Sequence, residues 1–107
     1  MNEFTKRGEA FESKFAHEEA LRFKAIARRN RLVGLWAAQR LGKSGADADA
    51  YASTVVIADF EEPGDEDVVS KVVSDLQAAA VPSDQVEVQH VLEEFMIRAT
   101  DEIKTGL

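Results

Sequence analysis

Cysteine is absent from this 107-residue chain, which removes disulfides, thiolate nucleophiles and cysteine-based zinc sites together. Proline occurs only twice and histidine only twice, so long helices are uninterrupted and metal chemistry has few ligands to draw on. "HEEAL", His17 to Leu21, begins like the zinc signature H-E-x-x-H, but Leu21 stands where the second ligand must be and the site cannot form. The other histidine, His90, falls among Gln89 and Val91 and is expected to be a partly buried packing residue. No stretch approaches the roughly 20 apolar residues that span a bilayer. The opening "MNEFTKRGEAFESKF" mixes both signs of charge and lacks the apolar centre of a secretory signal,. The expectation is a cytoplasmic protein with no direct membrane insertion.

Apolar residues make up 45% of the chain and charged residues 31%, an ordinary globular balance that fits one domain with one modest core. The net charge of -7 is unevenly spread. Residues 1–31 hold eight Lys/Arg against five Glu, or +3, while the rest holds five against fifteen acids, or -10. The acidic body opposes the approach of phosphate backbones, which argues against a nucleic-acid partner despite "ARRNR" at Ala27 to Arg31. The stretch "KFAHEEALRFKAIARRNR", 14–31, threads phenylalanines among these charges at helical spacing.

Periodicity predicts an all-α protein of four helices. The first is expected from near Glu9 to Leu41, with Phe11, Phe15, Ile26, Val33, Trp36 and Ala37 on one face and Gly42 as its stop. Ser44 and Asp47 have capping-box spacing before a second helix, Gly45 to Phe60, ridged by Tyr51, Val55 and Ala58 beside Ala52, Val56 and Phe60. Pro63-Gly64 ends that run, and Asp65, Glu66 and Asp67 complement the positive end of a third helix, Asp65 to Ala79. Its valines 68, 69, 72 and 73 favour strands locally, but only a helix gathers them with Leu76 into one stripe. The fourth, from Ser83 or Asp84 to about Lys104, places Val88, Val91, Leu92, Phe95, Met96, Ala99 and Ile103 together.

Short connections join these into a small four-helix bundle, of which 21–107 is the body. The first helix, about 33 residues or roughly 50 Å, is longer than such a body. Its N-terminal part, with a thin apolar stripe and the interrupting Gly8, is expected to project or stay disordered in the free protein. Residues 1–20 then form a mobile segment that orders on meeting a partner. No cofactor or metal is expected, and no convergent nucleophile, base and oxyanion donors suggest an enzyme. Glu61-Glu62 and Glu93-Glu94 are adjacent pairs that point about 100° apart on a helix. "RLGKSGAD" lacks the upstream glycine of a phosphate loop. An alternative in another class is a binding or sensory module taking a small ligand or nucleotide in a cleft between helices, with weak or no inhibition of any enzyme.

The blocks "KFAHEE", "ARRN", "GLWAA", "LGKSG" and "DFEEPGDEDV", in this order over nearly the whole chain, resemble the zeta subunit of alphaproteobacterial rotary ATP synthases. The resemblance implies a regulatory protein that inhibits ATP hydrolysis by the catalytic head. Its N-terminal helix would enter an alpha/beta catalytic interface and touch the gamma stalk, with the bundle remaining outside. Carried onto this sequence, the contact positions are Phe4, Phe11, Glu12, Phe15, His17, Glu18, Glu19, Arg22 and Phe23. The implied partners are the alpha, beta and gamma subunits; the chain would be monomeric when free and peripherally associated with the inner membrane through the ATP synthase. Thr5, Lys6 and Gly8 stand where strongly inhibiting members carry acidic residues.

Overall fold

In the computed structural model, the backbone is described for residues 2–59 and 64–106 and the side chains for 18–59 and 64–106. Four helices follow in order: α1 (Asn2–Arg40), α2 (Gly45–Ala58), α3 (Glu66–Ala78) and α4 (Gln85–Thr105). The all-α four-helix bundle expected from periodicity is the observed fold. The α1 helix starts at Asn2 rather than near Glu9, and the second ends at Ala58, with Phe60 lying outside the described residues. The expected projection of the N-terminal part concerns residues whose side chains also lie outside them.

Helix ends follow local chemistry. The Gly42 φ of 78° is the left-handed value of a C′ residue. Its N–H donates to Gln39 O at 3.1 Å and the Lys43 N–H to Ala38 O at 2.9 Å, which closes α1 in a Schellman motif,. The end of α3 repeats the pattern with a residue poorly suited to it: Ala80, at φ 60°, donates to Gln77 O, and Val81 donates to Leu76 O at 2.9 Å. At α4, the Asp84 carboxylate accepts from the Glu87 N–H at 2.8 Å, the cap expected there. The capping box at Ser44 does not form. Ser44 occupies the N-cap position without a side-chain bond, and it is the Ser44 carbonyl that accepts from the Asp47 and Ala48 N–H groups.

The core gathers Val33 and Ala37 of α1, Val55 of α2, the four valines and Leu76 of α3, and Val88 and Leu92 of α4. Every residue of the valine stripe is buried, so burial along a 3.6-residue stripe outweighs the local β preference of those side chains. Trp36 is half-buried against this core, with the Arg40 guanidinium 4.4 Å from its ring centroid. Gly34 has a definite role. A Cβ there would lie 2.6 Å from the Ala52 Cα, so α1 and α2 touch backbone to backbone. His90 is exposed rather than partly buried, because it lies on the outer side of α4, away from the Val88–Leu92 stripe.

Candidate functional site

Burial along α1 changes sharply with position. Its inner ridge, at i, i+4 spacing, runs Ala25, Arg29, Val33, Ala37, and beside it runs Asn30, Gly34, Ala38; all seven are buried. N-terminal to Ala25 no described side chain is buried: Glu18, Glu19, Arg22 and Phe23 are exposed and Leu21 is half-buried. Phe23 keeps 68% of its surface accessible. Of the nine contact positions expected from sequence, these four are described, and all four face solvent on the final free turns before the bundle. Phe4, Phe11, Glu12, Phe15 and His17 lie outside the residues with described side chains.

Beside these turns the α1 and α4 helices leave an open groove of about 650 Å³ lined by Leu21, Ala25, Met96, Thr100 and Ile103, with Glu18, Arg22 and Lys104 at its edges. Met96 also borders a second cleft of about 440 Å³ at the start of α3, where Arg29, Asp65, Glu66 and Glu93 stand over Val69 and Leu92. Met96 is the one residue that lines both clefts.

Arg29 and Asn30 are the only buried polar side chains among the described residues, at 5% and 1% exposure. The Arg29 guanidinium donates to the Asn30 carboxamide oxygen from Nε at 3.1 Å and from Nη2 at 2.9 Å. It also donates bidentately to Asp65, Nη2 to Oδ1 at 2.8 Å and Nη1 to Oδ2 at 3.2 Å. A guanidinium so engaged is the kind of buried charge a small core tolerates, because its fork matches a carboxylate. Sequence reasoning weighed "ARRNR" as a weak nucleic-acid signal and Asp65 as a helix-start charge. The overlooked signal was register, since Arg29 continues the Ala25, Val33, Ala37 ridge and Asn30 the Gly34, Ala38 ridge.

A second polar cluster joins α2 to α3: the Tyr51 hydroxyl donates to Asp75 Oδ2 at 2.8 Å, and Lys71 Nζ donates to the same oxygen at 3.0 Å. Burial, then the hydrogen bond to Asp75 and its negative charge, raise the Tyr51 phenol well above its ordinary value of 10.0. Among the described residues no group of three or more His, Asp or Glu could hold a metal ion, and no helix is long and apolar enough to cross a membrane.

A family model for ATPase inhibitor subunit zeta matches residues 1–102. The chain belongs to that family. The chain is also similar to a structure solved in solution by NMR, at 48% identity: the match covers 81% of this chain and 99% of that one, with a TM-score of 0.71. No curated protein matches. Membership in the zeta family supports an ATPase-inhibitory role in association with ATP synthase, and it suggests a regulatory subunit rather than an enzyme.

Proposed function

We propose that this zeta-family protein inhibits ATP hydrolysis by inserting the N-terminal part of α1 at an alpha/beta catalytic interface of the ATP synthase head and against the gamma stalk. Residues 1–20 form the inhibitory segment, and the bundle of 21–107 stays outside as its holder. Phe4, Phe11, Glu12, Phe15, His17, Glu18, Glu19, Arg22 and Phe23 supply the contacts. The observation that carries this reading is the abrupt change of burial on α1: a 68%-exposed phenylalanine, Phe23, lies two residues before the first buried position, Ala25. A large aromatic gains its burial energy only when a partner covers it.

Inhibition on this reading is mechanical. The inserted helix binds one geometry of the interface more tightly than the next, so rotation in the hydrolytic direction must first give back that difference in binding free energy. No bond is made or broken by the inhibitor. Associated in this way, the chain sits at the inner membrane only through its partner.

The test is direct. Full-length protein added to ATPase heads from the same source is expected to suppress hydrolysis with saturation near one inhibitor per head. Deleting residues 1–20 is expected to weaken inhibition by a hundredfold or more, about 3 kcal/mol, while the helical circular-dichroism melt of the body remains. Full inhibition by the deleted form would refute the insertion reading.

A further inference from the structure

We propose that Arg28 and Arg29 are positioning residues that fix the direction in which α1 leaves the bundle, and that inhibition depends on this grip; the proposal rests on the insertion reading above. Consecutive residues on a helix point about 100° apart, so this pair reaches two different helices. Arg29 holds the start of α3 through its bidentate bond to Asp65, and Arg28 faces α4, with Nη1 3.8 Å from Glu102 Oε1. The Glu102 carboxylate is itself fixed from the other side by Arg98 Nε at 3.0 Å.

Three observations assign these contacts to alignment rather than to ordinary packing. Arg29 occupies a core position, between Ala25 and Val33 on the buried ridge, where an aliphatic residue would fill space without the desolvation cost of a charge. Asp65 stands at the N-cap of α3 yet makes no side-chain bond to α3's own N–H groups; both of its carboxylate oxygens accept from Arg29 of α1 instead, although 54% of the side chain stays exposed. The contacts also lie at the point where support ends, since only one residue N-terminal to them, Ala25, is buried among those described. The Arg29 fork, with two fixed hydrogen-bond directions, defines an angle, whereas a methyl group sliding on another does not; the Arg28–Glu102 pair, at 3.8 Å, makes no hydrogen bond and is the weaker restraint.

The consequence for the inhibitor is preorganisation. A helix held at one angle meets its interface with little orientational freedom left to lose, and releasing that hold raises the cost of binding without removing any contact. Asp65→Asn keeps the size of the side chain and removes the charge, and Glu102→Gln does the same on the α4 side. Each full-length variant is compared with wild type by residual dipolar couplings of the backbone N–H groups of residues 18–28 measured against those of α2, α3 and α4, and by titration of ATPase inhibition at a temperature where its bundle is folded. Asp65→Asn is expected to shift or average the couplings of 18–28 while leaving those of α2 and α4, and to raise the half-inhibitory concentration about tenfold. Glu102→Gln, acting through a longer contact, is expected to change both in the same direction by about threefold.

A purely structural role would lower the melting temperature and leave couplings and inhibition unmoved; that result in both variants overturns the proposal. Should Asp65→Asn fail to fold, Glu102→Gln alone decides. Wild-type protein that does not inhibit would remove the insertion reading, yet the couplings would still show whether the two arginines set the helix direction.

Discussion

The two ends of the described part of α1 are built by opposite rules. From Val33 to Arg40 the helix is packed on its inner side: Val33, Gly34, Ala37 and Ala38 are buried, Gly34 lies against Ala52, and Trp36 packs on the core, as does Leu41 just beyond its end. From Glu18 to Lys24 it carries charges, one exposed phenylalanine and no buried side chain. Small residues dominate the first stretch because neighbouring backbones come close. Large or charged ones dominate the second, where, among the described residues, no side chain is buried and only Leu21 is partly covered, beside α4. One helix therefore serves as core element and as outward-facing surface, with Arg29 and Asn30 at the boundary.

The sharpest way to break this contrast is to overfill the packed half. Gly34→Val must push Ala52 away and is expected to cost about 3 kcal/mol, read as a drop in the urea midpoint at unchanged slope. Removing volume from the same core by Leu76→Ala should cost a similar 2 to 4 kcal/mol, because Leu76 is fully buried,. Tyr51 tests the wall between α2 and α3. Its phenol is raised in the folded state, so the stability it contributes is fully present below the unfolded tyrosine value of 10.0 and is lost as pH rises above it,. Unfolding titrations of wild type against Tyr51→Phe should show this extra alkaline loss only in the wild type, and at neutral pH the variant should be about 1 kcal/mol less stable.

Ala80→Gly should stabilise the bundle by about 0.5 to 1 kcal/mol, because it removes a left-handed alanine at the end of α3,. A melting temperature that stayed the same or fell would show that Val81, not the backbone angle, limits that turn. Phe23→Ala lies at the opposite pole. It should change stability by less than about 0.5 kcal/mol, yet weaken ATPase inhibition about tenfold. A large loss of stability would mean that the exposed half of α1 is part of the core after all.

Most of the fold was legible because few breakers separate strongly periodic runs. Gly42, the Pro63-Gly64 pair and Asp84 each mark a boundary that the structure keeps within a few residues, and the valine stripe of α3 was correctly assigned by period against local preference. What composition concealed was tertiary. Register sets Arg29 on the ridge of Ala25, Val33 and Ala37, unlike its solvated neighbours Lys24 and Arg31, but the carboxylate that makes its burial tolerable, Asp65, lies 36 positions away. Asp65 in turn looks like any helix-start acid until its carboxylate is seen to face another helix. His90 failed for a simpler reason: an amphipathic residue beside a valine was taken for one on the same face. Of the expected contact positions, Glu18, Glu19, Arg22 and Phe23 are exposed, but exposure alone assigns them no partner. Those before them rest on the family resemblance.

The seam between Gly34 and Ala52 carries a consequence for how the chain reaches this structure. Two backbones that meet directly leave no side-chain layer to rearrange, and only the short turn at 41–44 separates their helices, so the loop to be closed is small. The α1–α2 hairpin is therefore expected to form early in folding, which φ-values high along the seam and low in α4 would bear out. Substitutions along this seam would slow folding itself, whereas those in α4 would chiefly hasten unfolding.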